Sequence, residues 1–163
     1  MRLQGIRVIY FVEEGFEDLE FWAPLMRLQE EGAQVTVVGG GAAQYSGKHC
    51  LTARPDVQAA AVNVDDYDAV VIPGGWAPDK LRRHDDVLNI VRRANEQGKI
   101  IGTICHAGWV PISAGIVRGR RATGSRAIKD DLVNAGATWV DEAAFRDGNM
   151  VWGRVVADIP AFN

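Results

Sequence analysis

Cys105 and His106 place a thiol beside an imidazole in the segment Lys99-Ile-Ile-Gly-Thr-Ile-Cys-His-Ala-Gly108, and no other pair in the chain is better suited to nucleophilic chemistry. Ile100, Ile101 and Ile104 read as a buried strand, and Ala107-Gly108-Trp109 as the opening of a helix. The sulfur is therefore expected at a strand-to-helix bend, lifted out of the core toward a helix N-terminus whose dipole and free N–H groups favour thiolate. Thr103 and Ala107, small and two places either side, let strand and helix approach closely, as in the G-x-S-x-G elbow with sulfur in place of oxygen. On that reading the thiol should titrate below about 8.5, with His106 as the base that raises the thiolate fraction and hands protons on. The bland alternative is a buried structural cysteine. It explains neither the elbow nor the histidine.

Two other histidines are weaker candidates. His84, in Arg82-Arg83-His84-Asp85-Asp86, reads as part of a solvated charge run before a helix. His49 stands beside Cys50, but in an expected hairpin, where adjacent residues point to opposite faces and would not couple. The two cysteines and three histidines lack metal-site spacing, so no metal is expected. Gly39–Gly41 and Gly74-Gly75 match neither G-x-G-x-x-G nor a phosphate loop. Pro73-Gly74-Gly75 after a buried strand is either an ordinary turn or a set of unencumbered amides able to bind an oxyanion opposite Cys105. Glu13, Glu14, Glu17, Asp18 and Glu20 cluster at the end of the first strand. Such clusters mostly favour a helix N-terminus. One of them could enter the site and donate a hydrogen bond to sulfur, its pKa raised beside a thiolate. Spacing alone does not choose which.

The elements that must position these groups follow from periodicity. Ile6–Val12, Val35–Gly39, Ala69–Ile72 and Ile100–Ile104 are short, nearly continuous apolar runs, as strands covered on both faces are. Asp85–Gln97 repeats Val87, Ile90, Val91 and Ala94 at helical spacing, and Gly98 ends it. Glu17–Glu31 is a second helix, apolar on two sides, which suggests that one side meets another subunit. Ile128–Asn134 reads as a short helix; Tyr45–Ala53 and Phe145–Val151 read as hairpins decorating the core, the latter around Asp147-Gly148. Alternating strands and helices imply an α/β fold with a mostly parallel sheet, which binds ligands beyond the carboxyl ends of its strands.

At 163 residues, 47% hydrophobic and with a net charge of −3, the chain suits one domain and carries no basic footprint for nucleic acid. No segment approaches the length of a membrane span, and the apolar run after Arg2 stops at Glu13-Glu14 without a cleavage site, so it reads as a strand and not a signal peptide. Two distant cysteines fit a reducing, cytoplasmic setting.

Four separated blocks resemble the ThiJ/PfpI superfamily, in its PfpI-type intracellular cysteine peptidase and deglycase branch: Gly15-Phe-Glu-Asp-Leu-Glu20, Pro73-Gly-Gly-Trp-Ala-Pro-Asp79, Ile104-Cys-His106 and Ile128–Trp139. The resemblance covers nearly the whole chain. It implies a flavodoxin-like sandwich shared with class I glutamine amidotransferase domains, here a single PfpI-like domain over residues 1–163 that lacks the end of its C-terminal helix. It makes Cys105 the nucleophile and His106 its partner. It gives Glu17 as the carboxyl bonded to the thiol, the amides of Gly75 and His106 as the oxyanion hole, and Asp79 as an acid orienting the histidine across a subunit interface. Dimers or hexamers are implied, with no cofactor. The implied activity is a cofactor-free conversion of small reactive carbonyls or their adducts, glyoxalase III- or deglycase-like. Peptide hydrolysis by the same cysteine, and a redox sensor or chaperone without turnover, are the alternatives. This chain departs from the family pattern with Ala107-Gly108 where Gly-Pro is common after Cys-His, and with Gly153-Arg154 for a Ser-Arg pair.

Overall fold

The computed structural model describes residues 1–163. In chain order its elements are β1 (Arg7–Val12), α1 (Asp18–Glu30), β2 (Gln34–Gly39), β3 (Tyr45–Ser46), β4 (Thr52–Ala53), β5 (Val57–Gln58), β6 (Ala69–Ile72), α2 (Ala77–Leu81) and α3 (Asp85–Glu96). They continue with β7 (Ile100–Ile104), α4 (Trp109–Ala114), β8 (Arg121–Ala122), α5 (Lys129–Asn134), β9 (Thr138–Trp139), β10 (Ala144–Asp147), β11 (Met150–Gly153) and α6 (Ile159–Phe162). Seven strands form the central sheet in the order β10-β11-β7-β6-β1-β2-β5, parallel throughout except for β10. The chain leaves β1 toward β2 on one side and returns through β6 and β7 on the other. The crevice where this order reverses is where such sheets bind ligands.

The four apolar runs all form strands, and Val8 to Val12 are buried without a break because helices cover both faces. The hairpin around Gly148 also forms, but it does not merely decorate the core. Its second strand, β11, pairs parallel to β7 and extends the main sheet, because Met150 and Trp152 are fully buried. Strand β5 at the opposite edge is only two residues long, too short to leave a periodic signal. No helix is long and apolar enough to cross a membrane.

Helix α1 is shaped by a proline in its interior. Pro24 has no N–H to give, so the carbonyl of Glu20, one turn back, lacks its helical partner. The buried Tyr10 hydroxyl donates to that carbonyl instead, at 2.7 Å, tying the first turn of α1 to the middle of β1. Phe21 stacks edge-on against Tyr10 and packs on Phe16, closing the apolar layer beneath. The outer face of α1 leaves Leu19 and Met26 exposed, seven residues apart on one side of the helix. Tyr10→Phe should therefore cost about 1–2 kcal/mol, the desolvation of an unpartnered carbonyl. Denaturant unfolding should show a smaller cost in a Pro24→Ala background, where the helix supplies its own donor; equal costs would refute this role for the hydroxyl.

Candidate active site

Strand β7 ends at Ile104 in extended backbone, and Cys105 follows at φ 62°, in the left-handed region. A non-glycine residue held there is strained, and it persists only where its surroundings impose it. A single 3-10 turn, Cys105–Gly108, then leads into α4. The expected elbow is present. It lifts the sulfur away from the sheet toward the turn after β6, and His106 Nδ1 lies 3.2 Å from Cys105 Sγ. The backbone N–H groups of Gly75 and His106 lie beside the sulfur and pull its pKa down.

The turn after β6 is fastened to the turn after β1. Glu17 N–H donates to Gly74 O at 3.2 Å and Trp76 N–H to Gly15 O at 2.7 Å. Gly75 takes φ 77°, and a side chain there would collide with the backbone of residues 15–17. Gly74 is needed for space: a Cβ would stand 2.6 Å from Cys105 Cβ and closer still to Glu20 Oε2. Glycine lets carboxyl and thiol meet.

The carboxyl at the thiol is Glu20, and this corrects the assignment of Glu17. Glu17 caps α1, its Oε2 accepting from Glu20 N–H at 2.9 Å, while its Oε1 lies 3.6 Å from His49 Nε2. Capping turns Glu17 back onto its own helix. Glu20 sits one turn on, is fully buried, and accepts from Gly74 N–H at 3.0 Å through Oε2. Its Oε1 is buried without a hydrogen-bond partner, and its carboxyl is coupled to the Cys105 thiol beside it. In a reciprocal capping box the N3 carboxylate would reach back to the cap's N–H. Here Gly74 O takes that N–H, which frees Glu20 for the site.

The remaining acids of the cluster build the walls. Asp18, buried, accepts from His49 N–H and Leu51 N–H, each at 2.8 Å, and so folds the turn between β3 and β4 over the site. Glu14 accepts from Ser46 N–H at 2.9 Å, and buried Glu13 pairs with His84 at 3.1 Å. His84 is thus a structural partner and not part of a solvated run. The turn brings Lys48 and His49 into the same cavity as Glu17, Glu20, Cys105 and His106, a space of about 420 Å³. His49 was expected to stand apart. Strand alternation does not hold for it because residues 47–51 form a turn, with Cys50 at φ 73°. Lys48 Nζ lies 5.5 Å from the ring centre of exposed Trp76. Asp79 is not brought to the site: it is half exposed and pairs with Arg83 one turn along.

Electrostatically the site favours protonated over charged acids. Burial, and then the neighbouring Glu17, push the Glu20 carboxyl from 4.5 up to about 7. Burial first, then the charge of Glu20, push the Cys105 thiol up to about 12, against the opposing pull of the two amides. The expected titration below 8.5 is therefore overturned by desolvation and by a like charge. Burial, then Lys48, lower His106, which is neutral at pH 7. Glu20 and Cys105 share a pocket that tolerates one negative charge, so whichever ionises first holds back the other.

A parallel α/β sheet with a strained cysteine elbow, two converging amides and a buried carboxyl defines the flavodoxin-like class of cysteine-site proteins. The chain belongs to the DJ-1/PfpI family, whose model matches residues 6–163. It is 41% identical over 157 residues to a deglycase of Pyrococcus abyssi, covering 96% of this chain and 95% of that protein. It is 36% identical to Deglycase PfpI of Pyrococcus furiosus, with the same coverage. Among solved structures, a two-domain protein of Anabaena variabilis with DJ-1/ThiJ/PfpI-like and ferritin-like domains superposes with a TM-score of 0.94 at 39% identity, covering 96% of this chain and 47% of that one.

The sign of the coupling gives a test. Glu20→Gln removes the like charge but keeps an acceptor for Gly74 N–H, so the thiol pKa should fall. Iodoacetamide should then alkylate Cys105 about tenfold faster near pH 8.5, with rates converging within about twofold near pH 5.5, where Glu20 is already protonated. Glu17→Gln should not reproduce this profile. Equal profiles for the two variants would overturn the assignment of Glu20.

Proposed function

We propose that the protein is a cysteine-dependent enzyme acting on small reactive carbonyls or their adducts. The observation that carries this reading is the convergence on one sulfur of His106 Nδ1, the amides of Gly75 and His106, and the buried carboxyl of Glu20. Loss of the thiol proton lets Sγ form a bond to an aldehyde carbon. The carbonyl electron pair moves to oxygen between the two amides, and that oxygen takes up a proton, giving a hemithioacetal. Neutral His106 is placed to receive the thiol proton. Glu20, pushed up to about 7, can hold or release a proton at neutral pH. With methylglyoxal the net change adds one water and gives lactate. The aldehyde carbon is oxidised as the ketone carbon is reduced, so no external electron carrier is needed. The two archaeal relatives described above, both named as deglycases, support the same chemistry.

The exposed Leu19 and Met26 on α1 support assembly into a homo-oligomer, in which Asp79, unable to reach His106 within its own chain, would act from a neighbouring subunit. Both cysteines are free, which fits a reducing compartment, and we place the protein in the cytoplasm.

Turnover of methylglyoxal to lactate should be lost in Cys105→Ala, whose circular dichroism should match the parent's, and kept within about twofold in Cys50→Ser, because exposed Cys50 has no such environment. Full activity in Cys105→Ala would sink the reading. Cys105-dependent cleavage of a fluorogenic peptide, with methylglyoxal untouched, would replace it by a peptidase.

A further inference from the structure

Beside the catalytic cavity lies a second one of about 460 Å³, and Val155 lines both. The backbone of the elbow forms a wall between them. Ser125 N–H donates to Cys105 O at 3.0 Å, and the adjacent Gly124, which lines the second cavity, packs so tightly that a Cβ would stand 2.6 Å from the same carbonyl. The walls differ in charge. The first cavity holds Glu17 and Glu20 against the single ammonium of Lys48. The second holds Arg126, Lys129 and Arg154 against the single carboxylate of Asp141.

These cations are not equivalent. Arg154 is engaged by Asp141 at 2.8 Å and by Asp158 at 3.0 Å, which also turns the Asp141 carboxylate toward Arg154. Arg126 and Lys129, both solvent-exposed, take part in no ion pair, although they line the same cavity three residues apart on the segment entering α5. Two unneutralised cations facing one cavity repel each other, and an anion between them relieves that repulsion. Arg126 adds a planar fork suited to phosphate or carboxylate oxygens.

We propose that this second cavity is a tail subsite of the active site, in which Arg126 and Lys129 hold a phosphate or carboxylate that the substrate carries some atoms away from the carbonyl attacked by Cys105. The inference rests on the reading of Cys105 as the nucleophile. The preferred substrates are then anionic carbonyl adducts, entering with their neutral carbonyl end in the acidic cavity and their charged end in the basic one. Free methylglyoxal, which has no tail, uses only the first cavity.

The test labels Cys105 with three N-substituted iodoacetamides whose tails end in a hydroxyl, a carboxylate or a phosphate. In each the thiolate forms the S–C bond and iodide leaves with the C–I pair. At low salt the charged probes should label Cys105 about threefold or more faster than the neutral one, an advantage that salt erodes. Arg126→Gln combined with Lys129→Gln should bring that ratio to about one, leaving the neutral probe's rate and methylglyoxal turnover unchanged. The probe that gains more identifies phosphate or carboxylate as the source. A ratio unchanged in the variant overturns the proposal. So does a variant with altered sedimentation, which would make the cavity a contact between copies of the chain. If the neutral probe does not label Cys105, the nucleophile reading itself fails, and calorimetric titration with inorganic phosphate decides the subsite alone. Binding at least about tenfold weaker in the double variant supports it, and equal binding or none overturns it.

Discussion

The contact between the Glu20 carboxyl and the Cys105 thiol across Gly74 is the constraint from which the rest of the site follows. A buried carboxyl and a partly buried thiol lie side by side, with one backbone N–H on the carboxyl and two beside the sulfur. That is enough to stabilise one negative charge and too little for two. On the proposed reading the pair would serve as a proton store beside a nucleophile. Substrate addition at sulfur would then change the proton affinity of the carboxyl in the same event. A cysteine activated only by a helix dipole would lack that link.

Holding the pair in contact takes structure from three strands. The elbow at the end of β7 raises the sulfur, and the glycines after β6 remove what would stand between the groups. The first turn of α1 is fixed by the Glu17 cap and by the Tyr10 hydroxyl that replaces the hydrogen bond Pro24 cannot make. A proline inside a helix is ordinarily a liability. Here it leaves the Glu20 carbonyl open to a buried partner, so main chain and side chain of one residue are anchored from opposite directions. Asp18 folds the β3–β4 turn over the top, bringing a cation and a second imidazole to the cavity that holds Glu17, Glu20, Cys105 and His106. Each carboxylate of one short acidic segment thus has a different structural task.

Much of this was legible in the sequence. The Val- and Ile-rich runs specify buried parallel strands, and a cysteine after Ile100–Ile104 followed by small residues specifies the elbow. The choice of carboxyl was not legible, because Glu17 and Glu20 both belong to the first turn of one helix. Which caps and which enters is decided by Gly74, more than fifty residues away in sequence. Lys48 and His49 escaped for a similar reason: their placement depends on two hydrogen bonds to Asp18. The depressed thiol pKa was expected from local backbone alone, and it fails because burial and a charge from another element outweigh the elbow's amides. Asp79 makes only a local ion pair with Arg83, because its side chain turns along its own helix.

The most direct test of the central claim is a carbon-13 NMR titration of the Glu20 carboxyl in the parent protein, with Cys105→Ala to identify the partner. Burial and Glu17 should place its midpoint near 7, and the Cys105 thiol should remain protonated as that carboxyl ionises. Removing the thiol should shift the midpoint, since Glu20 loses the hydrogen bond that favours its charged form. A Glu20 carboxyl titrating at the ordinary 4.5, or one indifferent to loss of the thiol, would contradict the shared-proton account.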